Sequence, residues 1–133
     1  MHPLPALLRF IGVVQLFFGA LFVLLPTRAG DMLGLGAPPP GWASWAFVML
    51  GARFLGFGLG MFLAARDPAA HAGWIDAMIL VQAVDLLATV VFLVRGDIPM
   101  PNVASALVLP VVWIAGLLWW HPRRRRPAAA VAA

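Results

Sequence analysis

Four residue types are missing from this chain, which has no Cys, no Lys, no Glu and no Tyr. Without Cys there are no disulfides, thiolate metal sites, iron–sulfur ligation or Cys nucleophile. Without Lys there is no glycine loop that holds phosphate with a lysine. The nine basic residues are therefore all Arg and the five acidic ones all Asp, and together they make up 11% of the chain. A soluble domain carries about a quarter charged residues. Hydroxyls are also scarce, limited to Thr27, Ser44, Thr89 and Ser105. No His shares their expected depth, so no nucleophile–base pair is assembled. His2, His71 and His121 lie outside the apolar runs, lack ligand spacing and have no supporting carboxylate. They read as solvated loop residues, and their position argues against an axially ligated haem or chlorophyll. No enzymatic activity, metal or cofactor is expected.

Hydrophobicity is what the chain has in abundance: 63% of its 133 residues are apolar, against about half in a soluble domain. The length suits one compact domain. Four apolar runs approach the ~20 residues that a helix rising ~1.5 Å per residue needs to cross ~30 Å of hydrocarbon. They run over 4–25, 42–65, 74–94 and 102–120. Residues 1–121 thus read as an all-α domain, a bundle of four antiparallel transmembrane helices, followed by an Arg-rich tail over 122–133. The first run is too long for a secretory signal, lacks a strongly positive leader and has no prompt small-residue cleavage site, so it reads as a retained span. Breakers separate the runs: Pro26 with Gly30, Gly34 and Gly36, then Pro38, Pro39, Pro40 and Gly41, then Asp67 and Pro68, then Gly96, Pro99 and Pro101.

Arg placement orients the spans, because cytoplasmic flanks retain positive charge during insertion. An even number of spans puts both termini on one side, with Arg9, Arg66 and the run Arg123, Arg124, Arg125 and Arg126. The other side has Arg28 and Arg95, each close to an Asp. Both termini are expected in the cytoplasm, with the chain multi-pass in a bacterial inner membrane. Trp42, Trp45, Trp74, Trp119 and Trp120 fall at span ends, as an interfacial aromatic belt requires, and Trp113 lies deeper.

A few polar residues lie far from any span end. Arg53 is thirteen residues from Arg66 and eleven from Trp42, which places it ~16–20 Å from both interfaces. Asp85, eleven residues from Trp74 and ten from Arg95, has a similar depth on the next span. An unpaired charge at the bilayer centre costs ~2.5–3.5 kcal/mol on insertion scales, so an Arg53–Asp85 ion pair is expected. Gln15 and Gln82 reach the same layer, and Met78, Gln82, Asp85 and Thr89 share one face of the third span. Pro110 brings a carbonyl without its helical partner, that of Ala106, to the same depth. The layer reads in two ways, as a lock that fixes helix pairing or as an ion, proton or substrate relay. Ala52, Gly56 and Gly60 form a small-residue ridge on the second span, and Gly12 and Gly19 lie one heptad apart on the first; these are the expected helix-packing positions. Arg9 can reach Asp76 at the cytoplasmic end.

The tail of Pro122, four Arg and Pro127 reads as a topology anchor, or as a surface for docking anionic lipid or a partner through Arg123, Arg124, Arg125 and Arg126. The pI near 11.7 reflects this tail and not a nucleic-acid-binding domain.

Arg9 and Gly12 in the first span, Pro26 at its end, Gly51-Ala52-Arg53 with Gly56 in the second, Asp67-Pro68 after it and the mid-span Asp85 resemble small bacterial four-helix membrane proteins of unknown function, loosely DoxX-like. The resemblance covers about 4–94. It implies a compact bundle without an assigned reaction and offers no catalytic residue to carry over. The expected function is therefore a non-enzymatic accessory or stabilising subunit, lying in the lipid bilayer against other membrane protein subunits. The alternatives are a small carrier or proton relay using Gln15, Arg53, Gln82 and Asp85, and an enzyme of the membrane-embedded thiol or lipid type, which would require a cleft beside the cytoplasmic histidines.

Overall fold

Five α-helices and a terminal 3-10 turn account for the regular structure in the computed structural model, which describes residues 3–32, 41–98 and 100–125. They are α1 (Pro3–Leu24), α2 (Pro26–Met32), α3 (Gly41–Arg66), α4 (Ala72–Val94), α5 (Met100–Trp119) and the turn Pro122–Arg125. α1, α3 and α4 are long and apolar enough to cross a membrane, and α5 contributes a shorter apolar stretch, Ala104–Trp119. The Pro38-Pro39-Pro40 connector, His2 and the tail from Arg126 onward lie outside the described residues, as do the side chains of Arg124 and Arg125.

Pro26 ends α1, as its lack of an amide requires, and also opens α2, an element the sequence reading did not anticipate. A proline is acceptable in a first helical turn, where its missing N–H has no partner to lose. The bonds Leu25 N to Leu21 O and Ala29 N to Leu25 O, both 2.9 Å, carry the chain from one helix into the next. α4 ends on Gly96 at φ 77°. Its N–H donates to Leu93 O and that of Asp97 to Phe92 O, both at 3.0 Å, which closes the helix with a left-handed glycine.

α1 and α3 pack backbone to backbone in antiparallel register, Gly12 against Gly58 and Gly19 against Gly51. A Cβ on Gly51 would stand 2.9 Å from the Gly19 carbonyl oxygen, and one on Gly58 would stand 3.2 Å from that of Gly12. Gly12 and Gly19 thus lie at the interface expected of them. The ridge expected on the second span does not: Ala52 and Gly56 are exposed, and a Cβ on Gly56 would meet nothing within 4 Å. Gly60 packs against α4, where the Trp74 indole lies on it. Helical geometry explains the difference. Residues four apart drift ~40° around the axis at each step, whereas residues seven apart return to within ~20°. Gly51 and Gly58 match the heptad spacing of Gly12 and Gly19, and the set 52, 56, 60 winds away from the seam.

Packing is uneven along the bundle. Leu8, Ile11, Met61, Ile75, Met78 and Leu117 are fully buried together, and all belong to the end formed by the start of α1, the end of α3, the start of α4 and the end of α5. Trp113 joins this core, at the depth its sequence position implied. Toward the other end Leu24, Trp42 and Val94 are 73%, 73% and 82% exposed. The buried residues of α4 stop at Gln82. The α4–α5 hairpin thus leans against the α1–α3 pair at one end and parts from it at the other.

Candidate intramembrane site

A cavity of about 200 Å³ lies where the two hairpins part. α1 contributes Gln15, Phe18 and Phe22 to its wall, α3 contributes Phe54, α4 contributes Gln82, Asp85 and Thr89, and α5 contributes Ser105, Pro110 and Trp113. Ser105, Ala106 and Leu109 line it and are exposed, so they form its mouth. Phe22 anchors the aromatic side, its ring centroid 5.6 Å from those of Phe47 and Phe54.

The polar side is ordered by Met78. Nε2 of Gln15 lies 3.8 Å and Nε2 of Gln82 3.5 Å from its sulfur. A thioether accepts weakly and cannot donate, which turns both amide nitrogens toward it and both oxygens elsewhere. Gln15 is 3% exposed, and its Oε1 is buried without a partner. Such an acceptor costs about 1–3 kcal/mol of desolvation unless something donates to it. The Thr89 hydroxyl donates to the Asp85 carbonyl oxygen at 2.7 Å, so its lone pairs remain available. Pro110 withholds an amide from the Ala106 carbonyl, which lacks its usual helical partner.

The structure thus gathers Gln15, Gln82 and Asp85 around one space and leaves out Arg53. The expected Arg53–Asp85 ion pair is absent: no nitrogen of Arg53 lies within 4.0 Å of the Asp85 carboxyl. Arg53 is exposed and does not line the cavity. The two residues share a height, but Gly51 and Gly58 turn α3 so that Arg53 points outward with Ala52 and Gly56. No family model, curated protein or solved structure matches this chain. What the site can do therefore rests on its own geometry.

A second polar cluster closes the packed end. Asp76 receives His121 Nε2 at 3.0 Å on one carboxylate oxygen and an Arg123 guanidinium nitrogen at 3.0 Å on the other. The His121 contact has ion-pair distance without hydrogen-bond alignment. Its Nδ1 accepts the Arg123 backbone N–H at 3.3 Å. His121 is buried at 6% exposure and is not the solvated loop residue expected. Asp76 is engaged by the tail, not by Arg9, and Arg123 is tied to α4. His71 stays local, its Nδ1 3.1 Å from the Asp67 carbonyl oxygen. Among the described residues no three His, Asp or Glu side chains group as metal ligands. Because Asp76 is half exposed, solvent screens its pairing. His121→Ala is therefore expected to cost about 1–2 kcal/mol in an unfolding titration in mixed micelles, mainly through lost packing around a buried ring. A cost near zero would mean that the tail does not hold the helix end.

Sequence reasoning found the polar residues of the site but missed its aromatic wall. Phe18, Phe22 and Phe54 read as ordinary span residues, and nothing in their spacing separates cavity-facing from lipid-facing positions. His121 was missed for another reason: its partner Asp76 is 45 residues away in the chain.

Proposed function

We propose that this chain is an integral membrane protein that binds a small molecule within the bilayer, the small-carrier reading of the mid-span polar layer. In this reading it is a four-span bundle with both termini in the cytoplasm of a bacterium, akin to the DoxX-like proteins it resembles. The observation that carries the proposal is the cavity at Gln15, Gln82 and Asp85, whose polar groups are not closed on one another. A structural lock calls for a dry, mutually satisfied layer. Here an acceptor stays buried without a donor, and a carboxyl group lines open space.

Because the chain lacks Cys, single-cysteine variants test this directly. Thr89→Cys and Ser105→Cys should react with a small water-soluble thiol reagent about tenfold faster than Leu87→Cys or Val108→Cys on the outer, apolar surface, a difference of about 1.4 kcal/mol in barrier. Equal rates would return the layer to a purely structural role.

A second reading, membership of a larger membrane complex, draws on Arg53. This exposed guanidinium lies halfway along α3 beside the open surface of Ala52 and Gly56. Lipid solvates such a group poorly. A neighbouring subunit with an acidic residue at that depth would complete it, with small residues allowing close approach. Crosslinking and native gels in mild detergent should then retain a larger species; a free monomer under all such conditions rules this reading out.

A further inference from the structure

The geometry points to a lipophilic ammonium ion as the ligand of the intramembrane cavity, a compact apolar body carrying one protonated amine; this deepens the small-molecule-binding reading and rests on it. The polar groups with assigned roles all offer acceptors. Gln15 Oε1 is buried and unpartnered, and one of the two N–H groups of its amide is directed at the Met78 sulfur. One N–H of the Gln82 amide is directed at the same atom. Thr89 spends its proton on a backbone carbonyl. Asp85 adds a carboxyl group, and among the described residues it has neither an ion-pair partner within 4.0 Å nor a hydrogen bond to its side chain. Among the described residues no Arg or His lines the space. Ser105, at the mouth, adds a hydroxyl that can donate or accept.

The complement of a carboxyl group and several further acceptors is a group with several donors and no acceptor, which describes an ammonium. The rest of the wall supports a cation as well as an apolar body. Phe18, Phe22, Phe54 and Trp113 present aromatic rings, whose faces attract a positive charge, most strongly when water is excluded. A volume of about 200 Å³ is below the ~300–1,000 Å³ of sites that enclose drug-sized molecules. The ligand is therefore compact, or extends through the mouth at Ser105 and Ala106 toward the lipid. An anion would meet the Asp85 carboxyl, and a neutral alcohol would satisfy one acceptor and leave the others unpaired.

The test compares 2-phenylethylamine with its neutral counterpart 2-phenylethanol on the full chain in lipid nanodiscs. Titration calorimetry is read against empty nanodiscs to remove partitioning. Far-UV circular dichroism and elution position confirm that each variant folds. The amine should bind saturably and about tenfold or more tighter than the alcohol. Asp85→Asn should remove that preference, and Ala106→Phe, which fills the mouth from an exposed position, should abolish binding of both. Equal affinity for amine and alcohol in the unaltered protein, lost in Ala106→Phe, would overturn the ammonium assignment while the binding-site reading stands. No saturable heat from either compound above empty nanodiscs would overturn both. The comparison in the unaltered chain keeps the test valid even if Asp85→Asn misfolds.

Discussion

Gly51→Leu combined with Gly58→Leu is expected to force α1 from α3, while Gly56→Leu, only a few residues away on the same helix, is expected to be tolerated. At the first two positions the new Cβ meets backbone: the Gly19 carbonyl oxygen at 2.9 Å and that of Gly12 at 3.2 Å. A carbonyl in a packed helix cannot turn aside as a side-chain tip can, so the helices must separate. Overpacking costs about 1–3 kcal/mol per site. The two sites lie about 10 Å apart, two helical turns, so their costs should nearly add. At Gly56 nothing lies within 4 Å. Leucine there gains roughly 0.8 kcal/mol of helix propensity over glycine and introduces no clash. Unfolding in mixed micelles measures both effects. If Gly56→Leu proves as damaging as the pair, the seam belongs on the other face of α3.

The second large effect is expected from Arg53→Leu. An Arg at the centre of a spanning helix costs ~2.5–3.5 kcal/mol on the insertion scale, and a Leu contributes a few tenths of a kcal/mol favourably. The exchange should therefore favour membrane insertion of α3 by about 3 kcal/mol, read as the fraction of α3 integrated in a glycosylation-tagged insertion assay. An ion pair would make the same exchange costly in the folded protein, because an uncompensated Asp85 would remain. Here Arg53 is exposed and makes no direct contact with Asp85, so the isolated bundle should keep its fold. If a neighbouring subunit covers Arg53, the same substitution releases that subunit without unfolding this one. An unchanged insertion fraction would show that the guanidinium already escapes to an interface, and an unfolded bundle would restore the ion pair.

Much of the architecture is legible in the sequence. The apolar runs at 4–25, 42–65, 74–94 and 102–120 become helices over Pro3–Leu24, Gly41–Arg66, Ala72–Val94 and Met100–Trp119. Pro26, Asp67-Pro68 and Gly96 interrupt the helices where expected, because proline and glycine act through local sterics that need no tertiary partner. Gly30 and Pro101, by contrast, lie inside α2 and α5, and Gly34, Gly36 and Pro99 fall outside the described residues. Even so, α2 was missed, since a proline that ends one helix is also suited to begin the next. At the site, Gln15, Gln82 and Asp85 were legible because a polar residue far from a helix end stands out against an apolar background. The glycine seam was legible on α1, where the small residues already had heptad spacing, and misread on α3. That helix carries Gly at 51, 56, 58 and 60 as well as Ala52, so more than one ridge can be drawn through it.

By itself the sequence determined the four long helical segments and how far along each of them every polar residue stands, because rise per residue is a property of the backbone hydrogen bonds alone. The rotation of each helix about its axis was decided only in the tertiary structure. Rotation depends on which small residues let two backbones approach, and that is a property of pairs. Arg53 and Asp85 share a height and not a direction, and the cavity exists because the helices meet closely at one end only.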